Sequence, residues 1–155
     1  GDGSSLWTLT HSEDFAKAFC GIMGNPLAIG ETFHITSDES LTWNQIYDRI
    51  GAALGKDVVK YHVATDFLSA CDPEFIGTLA GDKSNSVVFD NSKIKRFVPD
   101  FVATIGFDEG ARRCVRYLMD NPIAQVGDPD FDAFCDRVAY ALENAKGAFF
   151  ASIAK

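Results

Sequence analysis

The sequence predicts an α/β or α+β domain in which helices outweigh strands, and three observations carry that expectation. Short β-favouring runs recur four times, about six stretches place apolar residues at helical spacing, and no segment repeats another in tandem. The chain has 155 residues, 46% of them hydrophobic, enough for one domain to build a core without covalent staples.

Leu6 to Thr10 is the first expected strand, and Ser12 is placed to cap a helix over 13–23 with Glu13 and Asp14 in its first turn. Phe15, Ala18, Phe19 and Ile22 form its apolar face, and Gly24 stands where a helix stops. Glu31 to Thr36 reads as a second strand. The best-marked helix follows, with a Thr42/Gln45 capping box, a Leu41–Ile46 staple, a stripe of Ile46, Tyr47, Ile50 and Leu54, and Gly55 as its stop. Asp57 to Val63 is a third strand, and 64–81 holds two short helices across Asp72-Pro73. Ser86 to Phe89 is a fourth strand, after which Asp90 caps a helix of about two turns that ends before Pro99, with Phe89 and Ile94 as its staple. Two further helices carry Phe107, Ala111, Cys114, Val115 and Leu118 on one face, and Phe131, Phe134, Cys135, Val138 and Leu142 on another. Between them, 121–129 is a Pro- and Gly-containing loop that marks the end of the compact domain.

Acidic side chains outnumber basic ones 22 to 14, for a net charge of -8, so phosphate backbones are repelled except at a local basic patch. The clusters at Lys93, Lys95 and Arg96 and at Arg112, Arg113 and Arg116 lie in amphipathic helices, where an outer charged face is the plain explanation. No apolar run reaches the ~18 residues of a membrane span, and the first ten residues have neither signal nor transit character, so a cytoplasmic protein is expected. Cys20, Cys71, Cys114 and Cys135 are far apart among apolar neighbours, as buried free thiols would be. His11, His34 and His62 are scattered and give no metal-ligand spacing.

The motifs of catalysis are missing. No GxGxxG lies between a strand and a helix, and Gly21-x-x-Gly24 falls inside and at the end of one. None of Tyr47, Tyr61, Tyr117 and Tyr140 precedes by four residues the lysine that would lower a phenol's pKa for proton transfer. The acidic pairs Glu13/Asp14, Asp38/Glu39 and Asp108/Glu109 open or precede helices, where the helix dipole accounts for them.

Four segments nevertheless occur in a telling order: WTLTHSEDFA, GETFHITSDESLTW, VFDNSKIKRFVPDF and FDEGARR. Together, over roughly residues 1–120, they resemble the C-terminal, substrate-binding part of an extended short-chain dehydrogenase/reductase of the NAD-dependent epimerase/dehydratase branch. Asp14 matches that family's aspartate after its "hVdD" strand, 33–37 matches a strand returning toward the nucleotide domain, and Asp90, Ser92 and Lys93 match its "D.sK" element. The resemblance implies an α/β Rossmann-type parent whose glycine-rich NAD(P) loop and Ser/Tyr-x-x-x-Lys set lie upstream, so that the chain begins in mid-protein. NAD or NADP would then belong to the parent and not to this chain alone. The expected partners are the N-terminal nucleotide domain, a small-molecule substrate and, through the apolar face left bare, a second copy.

By the same resemblance, Gly81-Asp82-Lys83 is a loop that contacts substrate, which makes Lys83 the leading contact and Asp82 its neighbour. Where sugar-nucleotide members carry an arginine, Lys83 cannot form the same two-pronged fork to a phosphate. Phe67 is placed to line the cleft or to pack in the core. Residues 121–155 form a loop and helical extension. The function implied is substrate binding within an NAD(P)-dependent epimerase, dehydratase or reductase acting on a hydroxyl or keto substrate, a nucleotide sugar among the choices, with no turnover by the isolated chain. The alternative is an atypical, non-catalytic member that binds or regulates, as chloroplast stem-loop RNA-binding proteins of similar pattern do. A third reading is a small stand-alone domain derived from such a half.

Overall fold

The computed structural model describes residues 1–154 and divides into two compact units, Gly1–Tyr117 and Leu118–Lys155. Most of it is helical. The single sheet is an antiparallel pair of two-residue strands, β1 (Leu6–Trp7) and β2 (Leu41–Thr42), in the register Leu6↔Thr42 and Trp7↔Leu41. This fits an α/β or α+β fragment; a parallel Rossmann-like sheet is absent among the described residues.

Helix α1 spans Ser12–Ile22, and its cap is His11 rather than the expected Ser12. Ser12 is already helical, while His11 keeps the extended backbone of a cap and accepts the Glu13 N–H on Nδ1 at 3.2 Å. The buried face also differs from expectation. Asp14 and Ala18 are fully buried, whereas Phe15 and Phe19 stack on each other in the open with ring centres 5.6 Å apart. Gly21 lies on the inner side, where a Cβ would come within 2.6 Å of Val98 Cγ1. The core that α1 meets is Ile94 and Phe101, joined by Phe33, Ile35, Val98 and Ala103.

Ile94 and Val98 belong to or follow α4 (Ser92–Phe97). Asp90 does not cap this helix as expected. It folds back one residue early, taking the Ser92 N–H and hydroxyl at 2.8 Å each, and the cap position falls to Asn91. The Asn91 side chain is turned the other way, into the interior, where it donates to the Thr36 carbonyl at 2.9 Å and accepts the Thr36 N–H at 3.2 Å.

That bond pair explains why 31–36 is extended but forms no ladder: an amide side chain occupies the place of a neighbouring strand. The expected strands at 57–63 and 86–89 are likewise extended without a ladder. The latter makes one backbone bond to β1, from Val87 N–H to the Leu6 carbonyl at 3.0 Å.

Helix α2 (Trp43–Leu54) has both halves of its capping box, and Leu41 and Ile46 are buried as a staple should be. Gly55 closes it in the left-handed conformation at φ 65°. Tyr47 and Leu54, expected in the buried stripe, are exposed instead. The two helices expected in 64–81 are α3 (Thr65–Cys71) and a π-helix over Ile76–Lys83, packed on each other, so Gly81-Asp82-Lys83 is a helix end rather than a loop.

Helix α5 spans Phe107–Asp120 and buries Ala111, with Phe107 and Val115 half-buried beside it; Cys114 and Leu118 face out. Glu39, expected to serve the helix that follows it, accepts the Phe107 N–H at 2.9 Å and so caps α5 from a distant loop. Arg49 bridges Glu39 and Asp108.

All four cysteines are exposed, against the expectation of buried thiols. On α1 the reason is angular: with Ala18 inward, Cys20 lies two residues, or about 200°, around the helix.

In the second unit, Pro122–Ala124 makes a short 3₁₀ turn and Asp128 caps α6 (Pro129–Ile153) by accepting the Phe131 N–H at 3.0 Å. The helix runs well past the expected end at Leu142, through Glu143 to Phe150, because nothing helix-breaking intervenes. No helix among the described residues is long and apolar enough to cross a membrane.

Candidate functional site

The largest concavity is a cleft of about 580 Å³ in the first unit, formed by the N-terminal segment, the start of α2, the extended 58–62 segment and the end of the π-helix. Its size suits a small organic molecule, for which pockets of about 300–1,000 Å³ are usual.

Local chemistry fixes each wall. The capping box starts α2 at Trp43, so its indole sits at the cleft edge and Nε1–H donates to the Lys83 carbonyl at 3.2 Å. The Ser5 hydroxyl donates to the same carbonyl at 2.7 Å, and these two bonds pin the end of the π-helix. Trp7, Trp43 and Tyr47 follow one another as a run of rings, with centres 5.6 Å and 6.4 Å apart.

Asn44 ties two walls together. Its backbone N–H donates to the Gly3 carbonyl and its Nδ2 to the Asp2 carbonyl, both at 3.0 Å, while Oδ1 faces His62 Nε2 at 2.8 Å. With Nδ2 committed to Asp2, Oδ1 is the acceptor, and His62 Nε2 carries the proton. Gly3 is required here, because its φ is 73° and a Cβ would lie 2.5 Å from Asn44 Oδ1.

Every charged group of the cleft has a partner. Lys60 meets Asp48 at 2.5 Å and Lys83 meets Asp82 at 3.2 Å. The Asp2 carboxylate accepts the Ser4 hydroxyl at 2.6 Å and its N–H at 2.9 Å, and these bonds, the hydroxyl's first, hold its pKa below the ordinary value. Lys83 Nζ also stands 6.0 Å from the centre of the Trp7 ring.

Of the residues singled out from sequence, Lys83 lines the cleft and Asp82 pairs with it from just outside the lining. Phe67 is half-exposed on α3, in neither the cleft lining nor the core cluster. Sequence reasoning did not single out Trp43, Asn44, Tyr61 or His62 for this site, and it assigned Tyr47 to a buried stripe. The one available signal was the mixture Lys60-Tyr61-His62, polar and amphipathic where a buried strand would be aliphatic.

The cleft offers ring faces, hydroxyls and an imidazole, but no nucleophile joined to a base. Nor do the residues fit a dinucleotide. Gly21 is sealed against Val98 inside α1, and Gly24 turns the chain at that helix's end, so neither presents backbone N–H groups at a helix start.

Helices with a small sheet remnant around an aromatic, charge-paired cleft define a ligand-binding domain rather than a self-sufficient catalyst. Among characterised proteins the chain is similar to 2'-dehydrokanamycin reductase of Streptomyces kanamyceticus, with 29% identity over 102 residues. The match takes in 64% of this chain and 28% of that protein, so the chain spans little more than a quarter of its relative's length. No family model and no solved structure matches.

Proposed function

We propose that the chain is the substrate-binding part of an NAD(P)-dependent reductase of the short-chain dehydrogenase/reductase type, acting on a carbonyl or hydroxyl group held in the Trp43–Lys83 cleft. The observation that carries this reading is the partial similarity to a protein named as a reductase, which favours reduction over epimerisation or dehydration. Lys83, the contact expected from the sequence, lies on the one large cleft of the unit, in support of a binding role. The cofactor belongs to the remainder of the protein, and so does proton and hydride transfer. Phe15, Phe19 and Val102, apolar and exposed here, are the groups that would meet that remainder.

Calorimetry of the chain with NADH, NADPH and 2'-dehydrokanamycin tests the division of labour. The expected result is heat from a carbonyl substrate and none from either nucleotide. Micromolar binding of NADH or NADPH would show that the chain carries the cofactor site itself and that the reading is wrong.

A further inference from the structure

We propose that this cleft takes a neutral, polyhydroxylated ring, such as a pyranoside or cyclitol, and not a phosphorylated or otherwise charged ligand. The inference rests on the cleft being the substrate site and names the class of substrate.

Charge gives the first argument. A phosphate entering the cleft would find Lys60 already bound to Asp48 and Lys83 already bound to Asp82. To gain either ammonium it would have to part an ion pair and then lie beside the carboxylate it displaced, so the attraction and the new repulsion largely offset. A cation would look to Asp2, whose carboxylate is occupied by two bonds from Ser4. Neither sign of charge is offered a free counter-charge.

The rest of the lining offers what a sugar-like ring uses. Trp43, Tyr47 and Tyr61 supply flat apolar surfaces edged with polar groups, and the negative face of such a ring attracts the slightly positive C–H face of a saturated ring. Ser4, Ser84 and Ser86 line the same space, each hydroxyl both donor and acceptor, as a ligand's own hydroxyls are. Aromatic surface with hydroxyl partners and no unpaired charge selects for a ligand that is amphipathic across its ring and uncharged.

The test is an NMR titration of the full chain that follows the two indole N–H signals of Trp7 and Trp43, one inside the cleft lining and one behind it. Three probes differ at one group: methyl α-glucopyranoside, glucose 1-phosphate and glucosamine. The methyl glycoside should shift the Trp43 signal saturably at millimolar concentration, with little dependence on salt, and neither charged probe should bind more than about threefold tighter. Tyr61→Ala, at a half-exposed position that leaves the fold intact, should weaken the glycoside at least fivefold, by roughly the worth of one ring contact. A charged probe binding tenfold tighter at the same indole would overturn the neutral class while leaving the cleft a substrate site. If no probe moves Trp43, both the class and the cleft's role in the proposed function fall. A glycoside shift that survives Tyr61→Ala unchanged would place the binding elsewhere and also overturn the inference.

Discussion

The Ile105 backbone N–H donates to Asp14 Oδ2 at 2.8 Å, joining two residues 91 positions apart through a carboxylate with no solvent exposure. Thr104 N–H donates to the other oxygen at 3.1 Å, and Lys17 Nζ closes the site at 2.7 Å. Asp14 thus ties the first turn of α1 to the segment that leads into α5.

Burial by itself would raise the Asp14 pKa. The hydrogen bond from Lys17 and those from the Ile105 and Thr104 backbones outweigh it, and the net shift is below the ordinary value of 3.8. A carboxylate with a depressed folded pKa contributes stability that is fully present above its unfolded value and lost as pH falls through the folded one. Asp14→Asn should cost about 2–3 kcal/mol in urea unfolding at neutral pH, since an amide cannot accept from every donor around it. The same variant should show a shallower loss of stability below pH 3.8 than the parent, because the group that titrates there is gone.

Asn91 replaces a strand neighbour for Thr36, and its removal tests that substitution of side chain for backbone. Asn91→Leu should destabilise by about 3 kcal/mol, leaving the Thr36 N–H and carbonyl without partners. Asn91→Asp keeps the acceptor but sets a second carboxylate where the amide had bonded Asp38 at 3.0 Å. Its deficit should be largest at neutral pH and shrink as acid protonates one of the pair, read from chemical denaturation at several pH values.

Gly21 and Val98 test packing. A helix-interior Gly→Ala change normally gains about 1 kcal/mol, yet here the new methyl would lie 2.6 Å and 2.9 Å from the two Val98 methyl groups. Gly21→Ala alone should therefore lose stability. In the Val98→Ala background the same change should stabilise, and a double-mutant cycle of unfolding free energies would show the reversed sign.

Asp82 is the group that occupies Lys83. Asp82→Asn should free the ammonium and raise the cleft's affinity for inorganic phosphate by roughly two- to fivefold, the scale of an exposed ion pair. Added salt should erase the gain, which phosphate titration at low and high ionic strength would reveal.

Helix signals were the most legible part of the sequence. The Thr42/Gln45 box, the Leu41–Ile46 staple and the Gly55 stop act within a few residues of one another, and all three stand in the structure as the sequence implies. Strand signals were less reliable. The 31–36 run has β-favouring residues, but a ladder needs a neighbour, and that neighbour proved to be the Asn91 amide. Phe15 and Phe19 look like core in a helical wheel, yet Asp14 and Ala18 take the inner face because buried N–H groups at Thr104 and Ile105 need the carboxylate.

At the site, the sequence drew Lys83 and Asp82 from a resemblance, and the structure pairs them at 3.2 Å with Lys83 on a cleft. It had no means to bring Trp43, Tyr61 and His62 together, since their proximity depends on Asn44 bridging two segments far apart in the chain.

By itself the sequence determined what is local: where α2 begins and ends, that helices dominate, and that no catalytic motif is written in contiguous residues. Tertiary structure alone decided which polar groups are buried, which extended runs pair, and that both cleft lysines meet carboxylates. Capping and turn energies depend on residues three or four positions apart, whereas burial, pairing and charge compensation depend on whatever the folded chain places alongside.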